Sequence, residues 1–472
     1  MKTRSIYAGN TAMQTQKKAS EGKIVRLLGE DFYKISNYDV LQPFFMSLVS
    51  SSDHWLFIAS SGGLSAGRVN ADHALFPYYT VDKLTENSET TGAKAIFLVQ
   101  RDEKTSLWEP FSMRQQGLYN IERHLYKNFT GTALVFEEIN HDLGLAYRYA
   151  WRTGDRFGFI KSGWLINQSQ APCGVELLDG LQNLLPPFVS EQTQNAFSPL
   201  LDAYKRNELH PATGLGLFTL NTAMTDLAEP SEALLCTTCW QAGLEAHTYL
   251  LSSQQVEAFR AGERMTTEME VRGQRGAYFV QAAFELLAGE ERAWHLVADV
   301  DRDAAAVLRL EGLLADGEAE LAGLIERDIA ANTDALERIA ASADGLQAGR
   351  RRLQAANHFA NVLFNEMRGG YFPDQYNLDR EDFRAYVKNH NRRAAEEQAH
   401  FFKALPQTLP LRELKALTAA SGSPDLSRLA GCYLPLSFSR RHGDPSRPWN
   451  RFSINIRKKD GSRQLDYEGN WR

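Results

Sequence analysis

The amino-acid sequence predicts a β-rich protein with additional helices, organised as a large antiparallel β-sandwich followed by a helical region. Three observations support this prediction. Residues 23–302 contain many short segments of β-branched and aromatic residues, separated by turn sequences such as 140–144 and 153–156. Near residue 303 the composition changes to Ala, Leu, Glu and Arg, which favour helices. Apolar residues make up 43% of the 472 residues, enough for the cores of two or three domains.

The region before residue 303 is predicted to contain ten strands and two short helices. The helices are 189–205 and 253–260. Alternation of apolar and polar residues is partial, as expected for strands buried on both faces. Many strands with few helices predict an antiparallel sandwich. The strand segments are 32–36, 54–60, 95–100, 132–139, 143–152, 156–166, 215–222, 233–241, 277–286 and 293–300.

The region after residue 303 is predicted to be helical. Residues 303–368 form a helical connector that ends at Gly369-Gly370, before Pro373. Its apolar stripe consists of Leu336, Ile339, Ala343, Leu346 and Leu353. Further helices are expected at 379–404 and 409–420, and a strand at 451–457. The predicted domain organisation is a tail (1–22), the sandwich (23–302), a helical linker (303–372) and a further helical domain (373–472).

Composition and charge exclude several classes of protein. The formal net charge of −6 argues against a nucleic-acid or membrane-surface binder. No apolar run is long enough for a membrane span, and residues 1–18 lack the apolar core of a secretory signal. The 4 cysteines are too few for a disulfide framework. These features predict a cytoplasmic protein without nucleic-acid or membrane partners.

Three motifs resemble metal or catalytic sites but lack the required pattern. Cys236 and Cys239 lie in a predicted strand with no second ligand pair, so they are interpreted as structural. The acidic series at 299, 301 and 303 lacks the Gly and Glu of a calcium loop, and we expect it to cap the following helix. Glu137 and Glu138 point to opposite faces of a strand, which excludes joint acid–base work. The sequence thus predicts no metal, no cofactor and no catalytic pair.

The most informative segment runs from His54 through a glycine-rich turn to Arg68, and is followed closely by Tyr78 and Tyr79. One interpretation is a tight hairpin whose aromatic residues belong to the core. The other is a sugar site, because arginine forks and aromatic faces hold saccharides. The same two interpretations, core or sugar site, apply to a wider collection of side chains: Arg68, His73, Tyr78, Tyr79, Trp108, Trp151, Trp164 and Trp240.

Together with residues 361–372 and 466–472, this segment resembles the N-terminal part of the family-94 glycoside phosphorylases, the cellobiose phosphorylase group. The resemblance implies a galactose-mutarotase-like super-sandwich, a helical linker and an (α/α)₆ barrel that carries the catalytic acid. The sequence ends about where that barrel would begin, so residues 373–472 are expected to be the start of a truncated catalytic domain. The loop match implies substrate-binding roles for Arg68, Tyr78 and Asp82, and residue type adds Tyr79. The resemblance implies no catalytic residue in this sequence.

Two functions follow as hypotheses. The first is the non-catalytic N-terminal portion of a carbohydrate-active enzyme, which binds an oligosaccharide or sugar phosphate and is compatible with a homodimer. The second is a stand-alone β-sandwich scaffold that binds a glycan or a protein. Under the first hypothesis, the chain has no glycosidase or phosphorylase turnover of its own. Apolar side chains of the truncated domain should also be unusually exposed, among them Phe383, Tyr386, Val387, Phe401, Phe402, Leu405, Trp449, Phe452 and Trp471.

Overall fold

A computed structural model of the chain describes residues 6–14, 18–79, 81–222, 233–317, 320–343, 345–347, 349–367 and 377–433. These residues separate into two compact units. The first, called the sandwich unit, contains 6–50 and 54–332, and the second, the helical unit, contains 51–53 and 333–433. The predicted strand at 451–457, the glycines at 369–370, the resembling motif at 466–472, and Trp449, Phe452 and Trp471 lie outside the described residues.

Most of the chain before residue 303 is β-strand, as predicted. In chain order the strands are β1 (Tyr7–Ala8), β2 (Thr11–Ala12), β3 (Glu21–Leu27), β4 (Glu30–Ser36), β5 (Phe45–Leu48), β6 (His54–Ala59), β7 (Leu64–Arg68), β8 (Ala74–Phe76), β9 (Gly92–Arg101), β10 (Lys104–Trp108), β11 (Ile121–Asn128), β12 (Leu134–Asn140), β13 (Leu145–Gly154), β14 (Gly158–Asn167), β15 (Cys173–Leu184), β16 (Lys205–His210), β17 (Leu215–Leu220), β18 (Cys236–Ala242), β19 (Ala246–Leu250), β20 (Glu270–Arg272), β21 (Gly276–Leu286), β22 (Glu291–Arg302), β23 (Asn377–Asp379) and β24 (Thr408–Pro410). All ten predicted strands are confirmed, with shifted ends.

The helices concentrate after residue 303. They are α1 (Val81–Glu86), α2 (Glu191–Tyr204), α3 (Val256–Arg260), α4 (Ala304–Ala315), α5 (Leu321–Ser342), α6 (Arg352–Met367), α7 (Arg380–His390), α8 (Arg392–Glu397), α9 (Ala399–Ala404), α10 (Leu411–Ala420) and α11 (Pro424–Cys432). Within the described part of 303–368 there is no strand, so its predicted helical character is confirmed. None of the described helices combines the length and hydrophobicity that crossing a bilayer requires.

Two large antiparallel sheets form the sandwich unit. Within the described residues, one has 11 strands in the order β20-β16-β17-β18-β22-β14-β13-β12-β11-β4-β3. The other has 5 strands in the order β10-β9-β15-β21-β19. A 4-stranded sheet, β5-β6-β7-β8, completes the unit's main sheets. The predicted antiparallel β-sandwich with helices is confirmed.

Aromatic side chains fill the space between the two large sheets. Tyr147 on β13 contacts Phe97 on β9 edge-on, with ring centroids 5.1 Å apart. Its ring also stacks on Trp294 of β22 at 6.1 Å, and Trp108 on β10 stacks on Phe97 at 5.3 Å. Period-two alternation along β13 turns Tyr147 inward and Arg148 to the opposite face. The core is therefore aromatic where the sheets meet.

The helices after β22 differ from the separate linker that was expected at 303–372. Asp303 caps α4, because its Oδ1 accepts the Ala306 N–H at 2.7 Å. In α5, Leu321, Ile325 and Ile329 are buried in one cluster with Trp240 of the 11-stranded sheet. Residues up to 332 thus belong to the sandwich unit, because their apolar face packs on the sheet. The division between the units falls within α5.

The predicted apolar stripe of the connector is only partly correct. Leu336 is buried, and Ile339 is half-buried. However, α5 ends at Ser342, so Ala343 and Leu346 lie beyond it, and Leu346 is exposed. The helix ends earlier than the composition indicated because Gly345 turns the chain back, with its N–H donating to the Ala340 carbonyl at 2.7 Å.

The described part of the helical unit beyond residue 376 has a closed core, contrary to the exposure that was expected there. Phe383, Val387, Phe402 and Leu405 are buried in it, and Phe401 and Tyr386 pack against it. The single helix predicted at 379–404 is three helices, because Asn391 leaves helical geometry and caps α8 by accepting the Ala394 N–H at 3.0 Å. The interpretation of this segment as an open, unpartnered surface is therefore wrong.

Candidate functional site

The glycine-rich segment forms a β-hairpin with buried aromatic residues. β6 and β7 pair antiparallel with His54 opposite Arg68. Gly62, at the turn, has a φ of 95°, a conformation that favours glycine. Trp55 and Phe57, on β6 of the hairpin, are buried. The hairpin interpretation of this segment is confirmed.

Arg68 is bound by an aspartate of the 11-stranded sheet. Its Nε donates to Asp299 Oδ1 at 2.7 Å, and its Nη2 donates to Asp299 Oδ2 at 3.0 Å. Nη2 also donates to the Asp155 carbonyl at 3.3 Å. This bidentate pair ties β7 to β22. The sugar-binding role of Arg68 stays a prediction, and the contacts that the structure gives it are structural.

Tyr78 and Tyr79 are half-buried against the core of the hairpin sheet. The Tyr78 ring meets Trp55 edge-on at 5.5 Å, and Lys83 Nζ lies 5.8 Å from the Tyr79 ring centroid. Asp82 lies in α1, and its side chain is outside the described part of the structure. Arg68 and the tyrosines therefore lie at the base of the hairpin, the end away from its turn. There Tyr78 and Tyr79 pack against the core, and Arg68 is paired with Asp299.

The other candidates from the sequence are structural. Trp108, Trp151, Trp164 and Trp240 are all buried, which confirms their interpretation as core residues. Cys236 and Cys239 are buried as expected, and burial raises the pKa of Cys236 to about 12.

The acidic motifs also have structural partners. Asp303 caps α4 as predicted, whereas Asp301 contacts the His73 ring at 2.5 Å. Glu137 and Glu138 point to opposite faces of β12, as predicted: Glu137 accepts from Arg148, and Glu138 from Trp108 between the sheets.

A groove with a volume of about 850 Å³ opens beside the hairpin turn. Its walls come from the segment after β4, the turn between β6 and β7, the end of α1 and the segment that leads into β11. The turn contributes Ser60 and Ser61, so the tip of the predicted hairpin borders the groove although its base does not. The groove's rings and its charged or amide groups include Tyr38, Gln42, Glu89, Phe111, Tyr119, Asn120 and Arg123.

The aromatic wall of the groove is held in place by neighbouring polar groups. The Tyr119 hydroxyl donates to the Leu107 carbonyl at 2.6 Å. Phe111 has a φ of 65°, a left-handed conformation that is uncommon for a bulky residue. The Arg123 guanidinium lies 5.9 Å from the Phe111 ring centroid. These contacts fix flat faces next to hydrogen-bonding groups before any ligand binds.

A buried carboxylate anchors this wall. Glu138 accepts hydrogen bonds from Trp108 Nε1 at 2.8 Å, Phe111 N at 2.7 Å and Arg123 Nε at 2.8 Å. The bond to Phe111 N stabilises the left-handed backbone there. Because burial and the bond to Glu138 both constrain Arg123, its guanidinium is presented to the groove in one orientation.

Two further carboxylates share one lysine at the inner end of the groove. Lys94 Nζ contacts Glu89, and lies 2.6 Å from Glu109. Arg260 binds Glu109 with both nitrogens of its fork, at 2.9 and 2.7 Å. Burial raises the pKa of Glu109, but the bonds to Arg260 and Lys94 outweigh it and lower the pKa below its ordinary value. The pKa of Glu89 is lowered in the same way, burial being outweighed by Lys94.

Behind the groove lies a small cavity of about 30 Å³ that shares Glu89 and Phe111 with it. Lys161 lines this cavity and pairs with the fully buried Asp179, which also accepts from Trp294 Nε1 at 2.6 Å. The buried Tyr147 hydroxyl has no hydrogen-bond partner among the described residues. The cavity has room for a water molecule there.

The inner end of the groove, at Glu89 and Glu109, is suited to binding rather than to proton donation. Glu89 and Glu109 are held ionised, whereas a general acid needs a raised pKa. Within the described residues, no group of three or more His, Cys, Asp or Glu side chains could hold a metal ion. The groove offers rings, a guanidinium and amides beside the carboxylates of Asp39 and Glu86, which matches the way proteins bind polar ligands with flat apolar faces.

Sequence reasoning missed the groove residues. Tyr38, Phe111, Tyr119 and Arg123 come from separate loops and strand ends, with no shared spacing in the sequence. The available signal was the cluster of turn residues around 110–120, which indicated an irregular segment between strands but not its partners.

Comparison with known proteins gives one family match, to part of the chain. Residues 372–435 match the model of the glycoside hydrolase family 149 insertion domain 1. For this segment the match confirms the resemblance to glycoside hydrolases and phosphorylases. The model describes an insertion domain, and the expectation that the segment from residue 373 begins a catalytic barrel stays a prediction. No curated protein matches the chain.

Several solved structures match the chain at low identity and with low TM-scores. A bacterial glucoamylase in complex with acarbose matches with a TM-score of 0.35 and 9% identity, covering 82% of this chain and 57% of that one. A protein from the human microbiome, assigned as a kojibiose phosphorylase, has a TM-score of 0.35 and 9% identity, with coverages of 77% and 44%. One from Klebsiella pneumoniae subsp. pneumoniae MGH 78578, assigned as an aldose 1-epimerase, has a TM-score of 0.30 and 8% identity, with coverages of 64% and 92%. The chain thus spans about half the length of the first two proteins.

Proposed function

We propose that this chain is a non-catalytic portion of a carbohydrate-active protein of the glycoside phosphorylase or hydrolase kind, and that its sandwich unit binds an oligosaccharide in the groove. The observation that carries the proposal is the match of residues 372–435 to an insertion domain of a glycoside hydrolase family. The match supports a relation to carbohydrate-active proteins. The groove has aromatic faces and hydrogen-bonding groups, which are the groups that bind saccharides.

The lining of the groove supports saccharide binding. Sugar rings have apolar faces that stack on aromatic side chains and hydroxyls that pair with charged and amide groups. Tyr119 and Phe111 offer such faces, and Arg123 and Asn120 offer donors beside them. A volume of about 850 Å³ lies within the usual range of ligand sites.

The charge state of the groove supports a non-catalytic role. Cleavage of a glycosidic bond needs a carboxylic acid that can give a proton to the leaving oxygen. Glu89 and Glu109, at the inner end of the groove, are bound by Lys94 and Arg260, and the pKa values of both carboxyl groups are lowered. They can fix donors for a ligand, but they are poorly suited to donate a proton.

Titration calorimetry of the full chain with neutral gluco-oligosaccharides of different linkages tests the proposal. Tyr119→Ala should weaken binding about tenfold, because it removes an aromatic face from the groove. Tyr79→Ala is the matched control and should leave binding unchanged, since Tyr79 packs outside the groove. The reverse result would instead support the site at the hairpin base that the sequence indicates.

Turnover assays test the other half of the proposal. The purified chain should release neither free sugar nor a sugar 1-phosphate from the saccharides that it binds. Release of either product would contradict the non-catalytic role. Absence of binding to every saccharide would favour the alternative, a scaffold that binds protein.

A further inference from the structure

A second cavity, with a volume of about 320 Å³, lies where α4 packs on the 11-stranded sheet. Its apolar part is formed by Phe157, Trp240 and Leu313. Its polar part contains three arginines from three elements: Arg156 before β14, Arg302 at the end of β22 and Arg309 on α4. None of these arginines lines the groove, so this is a separate place in the sandwich unit.

The cavity carries more positive charge than its carboxylates balance. Its two lining carboxylates are Asp155 and Asp299, and Asp299 is already bound by Arg68 and also contacts Arg302. Among the described residues, neither Arg156 nor Arg309 forms a salt bridge. Arg156 lies against the Phe157 ring, with its guanidinium carbon 4.8 Å from the centroid.

The electrostatics of Arg302 show the same excess. Burial lowers its pKa, and the positive charges of Arg68 and Arg309 lower it further. Arg156 and Arg309 are exposed at the opening of the cavity, whereas Arg302 is half-buried. A bound anion would offset this repulsion. At the start of α4, the Ala306 N–H is already bound by the Asp303 carboxylate.

We infer that this cavity binds a phosphate group, either inorganic phosphate or the phosphate of a sugar phosphate. Guanidinium groups hold phosphate oxygens through paired hydrogen bonds, and three of them converge here from different elements. The volume is at the lower end for small-molecule sites, which suits phosphate alone or an ester of one sugar. The inference does not depend on saccharide binding in the groove.

Calorimetric titration of the full chain at low ionic strength, with inorganic phosphate and with glucose 1-phosphate, tests the inference. We expect saturable binding with one site. Arg309→Gln should weaken it at least tenfold, and Arg156→Gln should also weaken it. The matched control is Arg327→Gln, because Arg327 is an exposed arginine on the neighbouring helix α5 that does not line the cavity. Circular dichroism checks that each variant is folded.

The two ligands separate the sources of the phosphate group. Tighter binding of glucose 1-phosphate would assign the cavity to sugar phosphates, and equal affinities would assign it to inorganic phosphate. Lack of saturable binding to either, or equal weakening by Arg309→Gln and Arg327→Gln, would overturn the inference. Neutral oligosaccharides should not compete, so failure here is distinguishable from failure of the proposal for the groove.

Discussion

The interior of the sandwich unit contains ion pairs, whereas the core of residues 378–433 in the helical unit consists mainly of apolar and aromatic side chains. Between the sheets, Lys161 and Asp179 are 1% and 0% exposed. In the helical unit, Arg392 and Glu396 pair at the surface, with side chains 80% and 68% exposed. The stability of the sandwich unit therefore depends in part on buried ion pairs, whereas the stability of the helical unit depends mainly on apolar packing. Breaking a buried pair leaves an unpaired charge, while breaking a surface pair returns both groups to water.

The buried pair gives the largest expected effect. Asp179→Ala leaves the Lys161 ammonium and Trp294 Nε1 without their acceptor, so the free energy of unfolding should fall by about 3–5 kcal/mol. Denaturant unfolding followed by tryptophan fluorescence measures this, because 377–433 contain no tryptophan. The double variant Asp179→Leu with Lys161→Met should recover much of the loss. A single-variant loss below about 1 kcal/mol would show that the pair is effectively solvated and would remove the contrast between the units.

The apolar core gives the next effect. Leu426→Ala removes a fully buried side chain from the helical unit and should cost about 3 kcal/mol by lost burial and cavity formation. The loss should be seen in the helical signal by circular dichroism, with little change in tryptophan fluorescence. Leu417→Ala, at an exposed position of α10, is the control. Equal changes in both signals would mean that the two units unfold together.

Acidification should destabilise the sandwich unit through a buried histidine. Burial and the charge of Arg152 lower the pKa of His295 to about 4, and its Nδ1 lies 2.9 Å from Ser162 Oγ. The unfolded chain therefore takes up a proton near pH 6.5 while the folded chain does not, so stability falls as pH drops from about 6.5 to about 4. The expected loss is about 3 kcal/mol.

Unfolding curves across this pH range, for the wild type and for His295→Gln, measure the effect. The variant should have a flatter pH dependence, whereas His247→Gln, at an exposed position, should follow the wild type. An unchanged slope in His295→Gln would assign the acid sensitivity to other groups.

The smallest effect is expected at the surface of the helical unit. Arg392→Ala removes the i,i+4 pair with Glu396, in which the closest N–O distance is 3.1 Å. The free energy of unfolding should change by at most about 0.5 kcal/mol, and less at high salt. A larger, salt-independent loss would mean that this arginine has a role beyond the pair.

Strands with regular apolar content were predictable from the sequence, but β15 was not. Cys173–Leu184 contains Gly174, Gly180 and Asp179, which ordinarily indicate turns. In the fold, β15 lies between β9 and β21, and its aspartate is satisfied by Lys161 of the opposite sheet. Tertiary pairing therefore overrode local preference, and no local pattern reveals a partner 18 residues away.

The groove was missed for a related reason. Its rings and donors come from loops that meet only after the sheets have formed, and Arg123 takes its orientation from Glu138 on the neighbouring strand. The residues chosen from the sequence, Arg68 and Tyr78, are near the same hairpin but at its base. Their partners Asp299 and Trp55 explain why residue type alone could not separate a binding residue from a structural one.

The sequence by itself determined the β-rich first part, the change to helices at residue 303 and the buried hairpin, because these follow from local composition and short-range periodicity. The tertiary structure alone decided that the first turns of α5 belong to the sandwich unit and that 378–433 close their own core. It also decided which charges are paired and which arginines meet in a cavity. The physical reason is that burial and electrostatic pairing depend on contacts between residues far apart in the chain, which local sequence does not record.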